Sequence, residues 1–119
     1  SSGEQQRVLL ARTLMNDPGV VLLDEPSARL DLGGREQLVA ALEDFAAMGA
    51  APLVLVTHHV DEVPRAVTHA LLLRDGRPVA QGRIDEVLTS ESLSECFAMP
   101  LRLERRPDGR FTAWAERSS

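Results

Sequence analysis

Two adjacent carboxylates and one histidine follow short apolar runs, in an arrangement suited to phosphate and metal chemistry. Asp24 and Glu25 end the apolar run at residues 20–23, and His58 comes shortly after a second run at residues 53–56. Because open parallel sheets bind ligands at the carboxyl ends of their strands, these side chains can meet at one edge. One carboxylate can hold Mg²⁺ directly or through water, while the next polarises an attacking water. A neutral imidazole can hydrogen-bond a phosphate oxygen or that same water.

Each of these residues also has a plainer interpretation. Acids often follow strands in solvated turns, so Asp24 and Glu25 alone favour neither interpretation. A lone histidine such as His58 is more often a surface residue of a turn than a ligand. His59 is expected at the surface, because adjacent residues of an extended segment point in opposite directions. Metal binding by the two histidines is not expected, because no cysteine or second acid stands at ligand spacing.

The start of the chain contains a candidate anion site. Residues 2–16 are predicted to form a helix, and Ser1, Ser2, Gly3 and Glu4 lie at its N-terminal end. Free backbone N–H groups and the helix dipole attract anions at such an N-terminus, and serine hydroxyls add hydrogen-bond donors. The alternative is an ordinary helix cap, which is the simpler interpretation of so short a motif taken alone.

The elements that must position these groups alternate between strand and helix. Apolar runs at residues 20–23 and 53–56 predict two strands, each expected to be buried on both faces of a sheet. Between them, a helix is predicted to begin after Asp31 and to end at Gly49. Its apolar positions recur with helical spacing and are Leu38, Val39, Leu42, Phe45 and Ala46. Strand–helix–strand alternation predicts a parallel sheet with helices packed on it.

After the second strand, the sequence predicts short helices and hairpins. These are a helix at residues 60–66, a hairpin of 69–74 and 78–81, helices at 84–88 and 91–97, and a hairpin of 101–105 and 110–114. Asp75 and Gly76 form a strong turn dipeptide for the first hairpin. Pro64 weakens the middle of the first helix. Ser90 is the expected cap of the last helix.

Composition limits the classes of function. The chain has 119 residues, enough for one domain with a core and too few for two ordinary ones. A net charge of −5 argues against a surface that binds nucleic acid. No apolar run approaches the roughly 20 residues that cross a bilayer, and no segment resembles a signal peptide. The single cysteine, Cys96, excludes an internal disulfide and fits a reducing compartment.

Taken in order, the motifs resemble those of the ATP-binding cassette (ABC) ATPase family. Residues 1–7 (SSGEQQR) are similar to the family's signature, with Ser2 where a glycine is usual. Residues 20–26 (VVLLDEP) resemble its Walker B strand, and residues 27–31 (SARLD) its D-loop. Thr57-His58 resembles its switch-histidine loop. The order of the motifs and the gaps between them agree with the family.

The resemblance implies a role for each candidate residue. Asp24 would bind Mg²⁺ through water, Glu25 would be the general base, and His58 would contact the γ-phosphate of ATP. The residues implied to contact the ATP held by the opposite subunit are Ser1, Ser2, Gly3 and Glu4. Asp31, also counted among the nucleotide-binding residues, would link the two sites across the dimer. Two residues depart from the family pattern. Ser2 adds a side chain where backbone approaches phosphate, and Arg29 places a bulky cation in the D-loop.

The resemblance also implies a fold and a whole machine. The chain, residues 1–119, would be the C-terminal part of one nucleotide-binding domain, with a core at about 1–88 and a family-variable extension at 89–119. The implied fold class is α/β, a partial P-loop NTPase fold with a mainly parallel sheet, flanking helices and C-terminal β-hairpins. The whole subunit would bind ATP and Mg²⁺, pair head to tail with a second ABC ATPase subunit, and drive transmembrane permease subunits. It would lie in the cytoplasm, at the inner face of the cell membrane.

The sequence contains no lysine, so it cannot contain the Gly-rich lysine loop (Walker A) that cradles nucleotide phosphates. We therefore expect the chain to be inactive as an ATPase when alone.

Two other functions remain open from the sequence. One is a non-transport ABC ATPase that acts in translation or on chromosomes. Chromosome-organising relatives carry long coiled coils, and no sustained heptads occur here. The relatives that act in translation usually have basic partners or linkers, and this chain is acidic. The other function is a truncated regulatory module without catalysis. Asp24, Glu25 and His58 are all present, which argues against degeneration of the site.

Overall fold

The computed structural model of the chain describes residues 20–49 and 51–117. The helix predicted at residues 2–16 lies outside the described residues, and so does the candidate anion site of Ser1, Ser2, Gly3 and Glu4. The described residues belong to two compact units, which divide between Ala66 and Val67. Each unit is described below by itself.

The first unit contains two parallel strands and a long helix. Strand β1 is Val21–Asp24, helix α1 is Leu32–Met48, and strand β2 is Leu53–Val56. The two strands pair in parallel, from Val21 opposite Leu53 to Asp24 opposite Val56. The predicted strand–helix–strand unit with parallel pairing is therefore confirmed, and it brings the carboxyl ends of β1 and β2 side by side.

Helix α1 begins and ends where the sequence predicts. The Oδ1 atom of Asp31 accepts a hydrogen bond of 2.8 Å from the backbone N–H of Gly34, which satisfies one of the unpaired donors of the first turn. Gly49 ends the helix in the left-handed region, with φ of 65°. A glycine suits this position because it has no Cβ to clash there.

The core of the first unit lies between α1 and the sheet. Leu38, Leu42 and Phe45 of α1 are buried together with Val21 of β1, and Phe45 and Leu42 are the largest fully buried side chains. These three helical positions are spaced by four and three residues, so they share one face of the helix. The apolar periodicity therefore predicted this core correctly.

The prediction that the strands are buried on both faces is wrong for the described residues. Leu22 is 64% exposed, Val54 46% and Val56 43%. Successive side chains of a strand point to opposite faces, and α1 packs against the face that carries Val21. An apolar run shows that both faces of a strand are compatible with burial, but it does not show that both are covered.

The helix predicted at residues 60–66 is also wrong in length. The structure has a single 3₁₀ turn at Val60–Glu62. Proline lacks an N–H and disfavours helical backbone in the residue before it. Accordingly Val63, which precedes Pro64, is extended with φ of −76° and ψ of 118°.

The second unit consists of two antiparallel hairpins and two short helices. Its elements are β3 (His69–Arg74), β4 (Arg77–Arg83), α2 (Ile84–Val87), α3 (Ser90–Phe97), β5 (Leu101–Arg105) and β6 (Phe111–Ala115). Both predicted hairpins are confirmed, although β4 extends beyond the predicted residues 78–81. Asp75 and Gly76 turn the first hairpin with φ of 53° and 75°, the positive values that a tight hairpin of matching twist requires.

The cap of α3 is Thr89, and the prediction of Ser90 is wrong. The hydroxyl of Thr89 accepts a hydrogen bond of 3.1 Å from the backbone N–H of Ser92, and the hydroxyl of Ser92 accepts one of 3.0 Å from the N–H of Thr89. This reciprocal pair satisfies two N–H groups at the start of the helix. Serine and threonine are both good helix caps, so the sequence alone does not show which of the adjacent Thr89 and Ser90 is the cap.

Two serine hydroxyls join α3 to the neighbouring strand. The hydroxyl of Ser90 accepts a hydrogen bond of 2.9 Å from the N–H of Leu103, and that of Ser94 accepts one of 2.9 Å from the N–H of Leu101. Because Thr89 caps the helix, the hydroxyl of Ser90 is available to bond β5.

The longest described helix is too short and too polar for a bilayer. Helix α1 has 17 residues, and its sequence includes Arg35, Glu36 and Glu43. About 20 mainly apolar residues are needed to span a membrane. Among residues 20–49 and 51–117, no helix meets the requirements for such a span.

Candidate functional site

Glu25 and His58 meet at the carboxyl ends of the two parallel strands. The Nε2 atom of His58 lies 2.7 Å from Oε1 of Glu25. An ionised carboxylate only accepts hydrogen bonds, so the imidazole donates from Nε2 in this pair. The side chains are 72% and 41% exposed, respectively, so the pair is open to a ligand from solvent. The structure therefore brings together two residues that lie far apart in the sequence, at the edge where they were expected.

The backbone turns sharply at Glu25. Its N–H donates a hydrogen bond of 2.8 Å to the carbonyl of Val56, which extends the parallel ladder one residue past β1. Its φ is 47°, in the left-handed region that few residues other than glycine adopt. Such a conformation costs about 1–3 kcal/mol and is concentrated at functional sites. Asp24, the exposed last residue of β1, immediately precedes this turn.

The segment after Glu25 is a compact turn that leads into α1. The N–H of Ala28 donates to the carbonyl of Glu25, and that of Leu30 to the carbonyl of Ser27, at 3.2 and 3.0 Å. Arg29 and Asp31 are exposed. Asp31 has a local role in the structure as the cap of α1, in addition to the role across a dimer that the family resemblance implies.

A hydrogen-bonded pair, Thr57 and Glu62, lies beside His58, and Glu62 is not among the predicted site residues. The hydroxyl of Thr57 donates a hydrogen bond of 2.6 Å to Oε2 of Glu62. The same hydroxyl oxygen accepts one of 3.0 Å from the N–H of His59, which closes a small turn around His58. Glu62 is 8% exposed, a low value for a carboxylate.

A signal in the sequence could have identified Glu62. It lies among the apolar residues Val60, Val63 and Pro64, and an acid in such a segment is either exposed or paired. The threonine that starts the loop is the nearest hydroxyl on its N-terminal side.

Two further contacts attach this loop to α1. The backbone N–H and the guanidinium of Arg65 donate to the carboxylate of Glu43, with distances of 2.6–3.2 Å. The Nη2 atom of Arg35 lies 3.2 Å from Oδ2 of Asp61. The chain on both sides of Glu62 is therefore tied to the helix that forms the core of this unit.

The donors present fit Mg²⁺ that is bound together with a nucleotide. Mg²⁺ usually keeps several waters and binds one or two carboxylates plus substrate phosphates. Asp24, the exposed last residue of β1, supplies a carboxylate of this kind at the strand end. Within the described ranges, no cluster of three or more His, Cys, Asp or Glu residues is arranged to hold a metal by protein groups alone.

Comparisons with known proteins give a consistent result. A family profile described as "ABC transporter" matches residues 1–28. An ABC transporter ATP-binding protein of Streptococcus mutans is 40% identical over 112 residues, which are 93% of this chain and 43% of that protein. An uncharacterized ABC transporter ATP-binding protein of Bacillus subtilis is 41% identical over 117 residues, 98% of this chain and 44% of that protein.

The fold is similar to that of a solved transporter. The structure of an inward-facing metal-chelate type ABC transporter matches with a TM-score of 0.79 and 29% identity, over 95% of this chain and 45% of that chain. This match confirms the predicted fold class, α/β of the P-loop NTPase type. The chain spans less than half the length of the curated relatives and of the solved structure that it matches.

Proposed function

Because the chain belongs to the ATP-binding family of ABC transporters, we propose that it forms part of a subunit that hydrolyses ATP and couples hydrolysis to solute transport across a membrane. The contact of 2.7 Å between His58 and Glu25 is the observation that best supports this proposal. The contact joins a carboxylate and an imidazole at the carboxyl ends of two parallel strands, the edge at which open parallel sheets bind ligands.

In this proposal Glu25 is the general base. The hydrogen bond from His58 engages Oε1 of Glu25, which leaves Oε2 to accept the proton of a water that attacks the γ-phosphate. If Nε2–H of His58 leaves Glu25, it can donate to a γ-phosphate oxygen instead, because the imidazole is exposed. The side chain of Glu25 is 41% exposed, so a water can approach its carboxylate.

The remaining candidate residues bind the nucleotide and its metal. Asp24 would hold Mg²⁺ through water, and the bound ion would offset the negative charge of the phosphates. Ser1, Ser2, Gly3 and Glu4 would contact the γ-phosphate of ATP that the opposite subunit holds. Asp31 would link the two sites of the dimer in addition to capping α1.

The proposal includes the partners and the place of the protein. A second ABC ATPase subunit would complete each site head to tail, and transmembrane permease subunits would receive the motion. The subunit would lie in the cytoplasm at the inner face of the cell membrane, held there by the permease. Residues 1–88 would form the family core and residues 89–119 a variable extension.

We further propose that the 119-residue chain alone does not hydrolyse ATP. A lysine in a Gly-rich loop neutralises and positions nucleotide phosphates in this type of site, and the chain contains no lysine. A segment outside this chain would therefore supply that loop in the working subunit.

The test is to measure ATP turnover in the complete subunit and in the chain alone. We expect turnover from the complete subunit only, and a fall of about 100-fold or more for Glu25→Gln, because the amide cannot take a proton. Glu86→Gln is the matched control, since Glu86 is an exposed acid of the second unit, and its turnover should stay within about 2-fold. A complete subunit without turnover, or turnover by the chain alone that Glu25→Gln abolishes, would contradict the proposal.

A further inference from the structure

We propose that Thr57 and Glu62 are positioning residues that hold His58 in reach of Glu25. The proposal rests on the proposed ATPase function for its kinetic consequence, but its geometric content stands on the hydrogen bonds of the first unit. Thr57 and Glu62 bond each other and the backbone of His59, not the carboxylate of Glu25, so both would act through the backbone of His58.

Packing does not hold the His58 side chain. The imidazole is 72% exposed, and its contact in the site is the hydrogen bond to Glu25. An exposed side chain on a free loop would adopt several conformations, at a cost in entropy each time the pair forms. The position of the imidazole must therefore come from the backbone on either side of it.

The Thr57 side chain fixes that backbone. Its hydroxyl oxygen accepts from the N–H of His59 at 3.0 Å, so residues 57–59 form a closed turn with His58 at the centre. On the N-terminal side, β2 is fixed by its ladder with β1. His58 is thus held from both sides by main-chain contacts.

Glu62 orients the hydroxyl of Thr57. A threonine hydroxyl has one hydrogen, and donating it to Oε2 of Glu62 at 2.6 Å turns a lone pair of the oxygen towards the N–H of His59. Glu62 is itself fixed, because its own N–H donates 3.1 Å to the carbonyl of His59. Its side chain is buried, and a buried carboxylate without a donor is costly, so the pair with Thr57 is maintained.

The contacts to α1 extend this arrangement to the core. Arg35 binds Asp61, and Arg65 binds Glu43, so residues on either side of Glu62 are attached to α1. The position of the imidazole is therefore set by a chain of contacts that leads from the core through Glu62 and Thr57. A shift of about 1 Å in such a group can lower catalysis by up to about 100-fold.

Two pairs of substitutions in the complete subunit test the proposal. Thr57→Val removes the hydroxyl at nearly constant volume, whereas Thr57→Ser retains it. Glu62→Leu removes the acceptor, whereas Glu62→Gln retains an oxygen that accepts from Thr57. We expect Thr57→Val and Glu62→Leu to lower kcat for ATP hydrolysis by about 10-fold to 100-fold with KM for ATP within about 2-fold. Thr57→Ser and Glu62→Gln should stay within about 3-fold of the unmodified subunit.

The chain offers a matched control for the loss of a hydroxyl. Thr68 also precedes a histidine, but it lies in the second unit, and Thr68→Val should leave kcat unchanged. A second control separates positioning from general loss of structure. In a His58→Ala background, Thr57→Val should cause no further fall in kcat, because its effect acts through the imidazole. Independent, multiplicative losses from the two changes would overturn the proposal.

A spectroscopic measurement tests the geometry without ATP. The ¹⁵N NMR signal of Nε2 of His58 reports its hydrogen bond, and it should move towards that of a free imidazole in Thr57→Val and Glu62→Leu. An unchanged signal in both variants would overturn the inference. If the complete subunit shows no turnover at all, the proposed function fails, while this signal still decides the positioning role. If Glu62→Leu does not fold, Thr57→Val decides alone, since it removes a single hydroxyl.

Discussion

The chain contains the dipeptide Thr-His twice, and the two copies have different surroundings. In the first unit, the hydroxyl of Thr57 bonds Glu62 and the backbone of His59, and His58 reaches Glu25. In the second unit, the hydroxyl of Thr68 lies 2.9 Å from Nδ1 of the adjacent His69, and both residues are exposed. The second dipeptide thus makes its hydrogen bond within itself.

The difference lies in the sheets to which the dipeptides belong. Thr57 follows a strand whose parallel neighbour ends in acids, so the carboxyl ends of both strands place unlike side chains together. His69 begins an antiparallel strand, and its partner across the hairpin is Arg83, a cation that gives an imidazole no acceptor. The same dipeptide can therefore take part in a reaction at the end of the parallel strands, whereas at the antiparallel hairpin it makes only a local hydrogen bond.

The largest expected effect is on the packing beneath the first dipeptide. Phe45→Ala removes the larger of the two fully buried side chains that pack in the core with β1, and it should destabilise the first unit by about 3–5 kcal/mol. Leu73→Ala, at a half-exposed position of β3, should cost less than about 1 kcal/mol.

Hydrogen exchange of the α1 and β3 amides in the complete subunit measures the two effects separately. If Phe45→Ala accelerated exchange in α1 no more than Leu73→Ala did in β3, the packing near the two dipeptides would contribute equally to stability.

The second effect is on activity and compares the two histidines directly. His58→Ala should lower kcat for ATP hydrolysis by about 100-fold, because it removes the partner of the proposed base. His69→Ala should leave kcat within about 2-fold, since its hydrogen bond is to an adjacent exposed hydroxyl. Steady-state kinetics of the complete subunit decides the comparison, and equal losses would remove the distinction between the two dipeptides.

The smallest effect concerns the helix caps of the two units. Asp31→Ala and Thr89→Ala each remove a side chain that accepts an N–H of the first turn, and each should cost about 1 kcal/mol in urea unfolding. Asp31→Asn retains the cap and removes the charge, so it should keep stability. If Asp31 also links the two sites of a dimer, Asp31→Asn should lower kcat while Thr89→Ala does not. An unchanged kcat for Asp31→Asn would restrict Asp31 to its role as a cap.

The sequence predicted most of the local structure because local signals were strong. Both ends of helix α1 were predicted correctly because each depends on one residue. Asp31 caps the first turn with its side chain, and Gly49 adopts the left-handed backbone that ends the helix. The hairpin at Asp75 and Gly76 was correct for the same reason. The burial of both strand faces was wrong because it depends on which elements cover the sheet, and an apolar run does not specify them. The error at residues 60–66 had a local cause, because Pro64 reduces the predicted helix to a 3₁₀ turn.

The candidate site was predictable in part. That Glu25 and His58 meet followed from parallel pairing, since two strand ends at one edge bring their residues together. An acid among apolar residues signals that Glu62 needs a partner, but the identity of that partner did not follow from the sequence. The contact with Thr57 depends on a 3₁₀ turn that no periodicity predicts. The left-handed backbone of Glu25 likewise has no sequence signal, since glutamate has no preference for that region.

The serine hydroxyls of α3 have a consequence for how the last hairpin meets other chains. Four residues of a helix rise about 6 Å, and two residues of a strand advance about 6.6 Å. The hydroxyls of Ser90 and Ser94 can therefore accept hydrogen bonds from the N–H groups of Leu103 and Leu101, at the spacing that acceptors on a neighbouring strand would have. The helix substitutes for a strand at that edge, so β5 cannot recruit a foreign strand there, and edge-to-edge aggregation is blocked on that side.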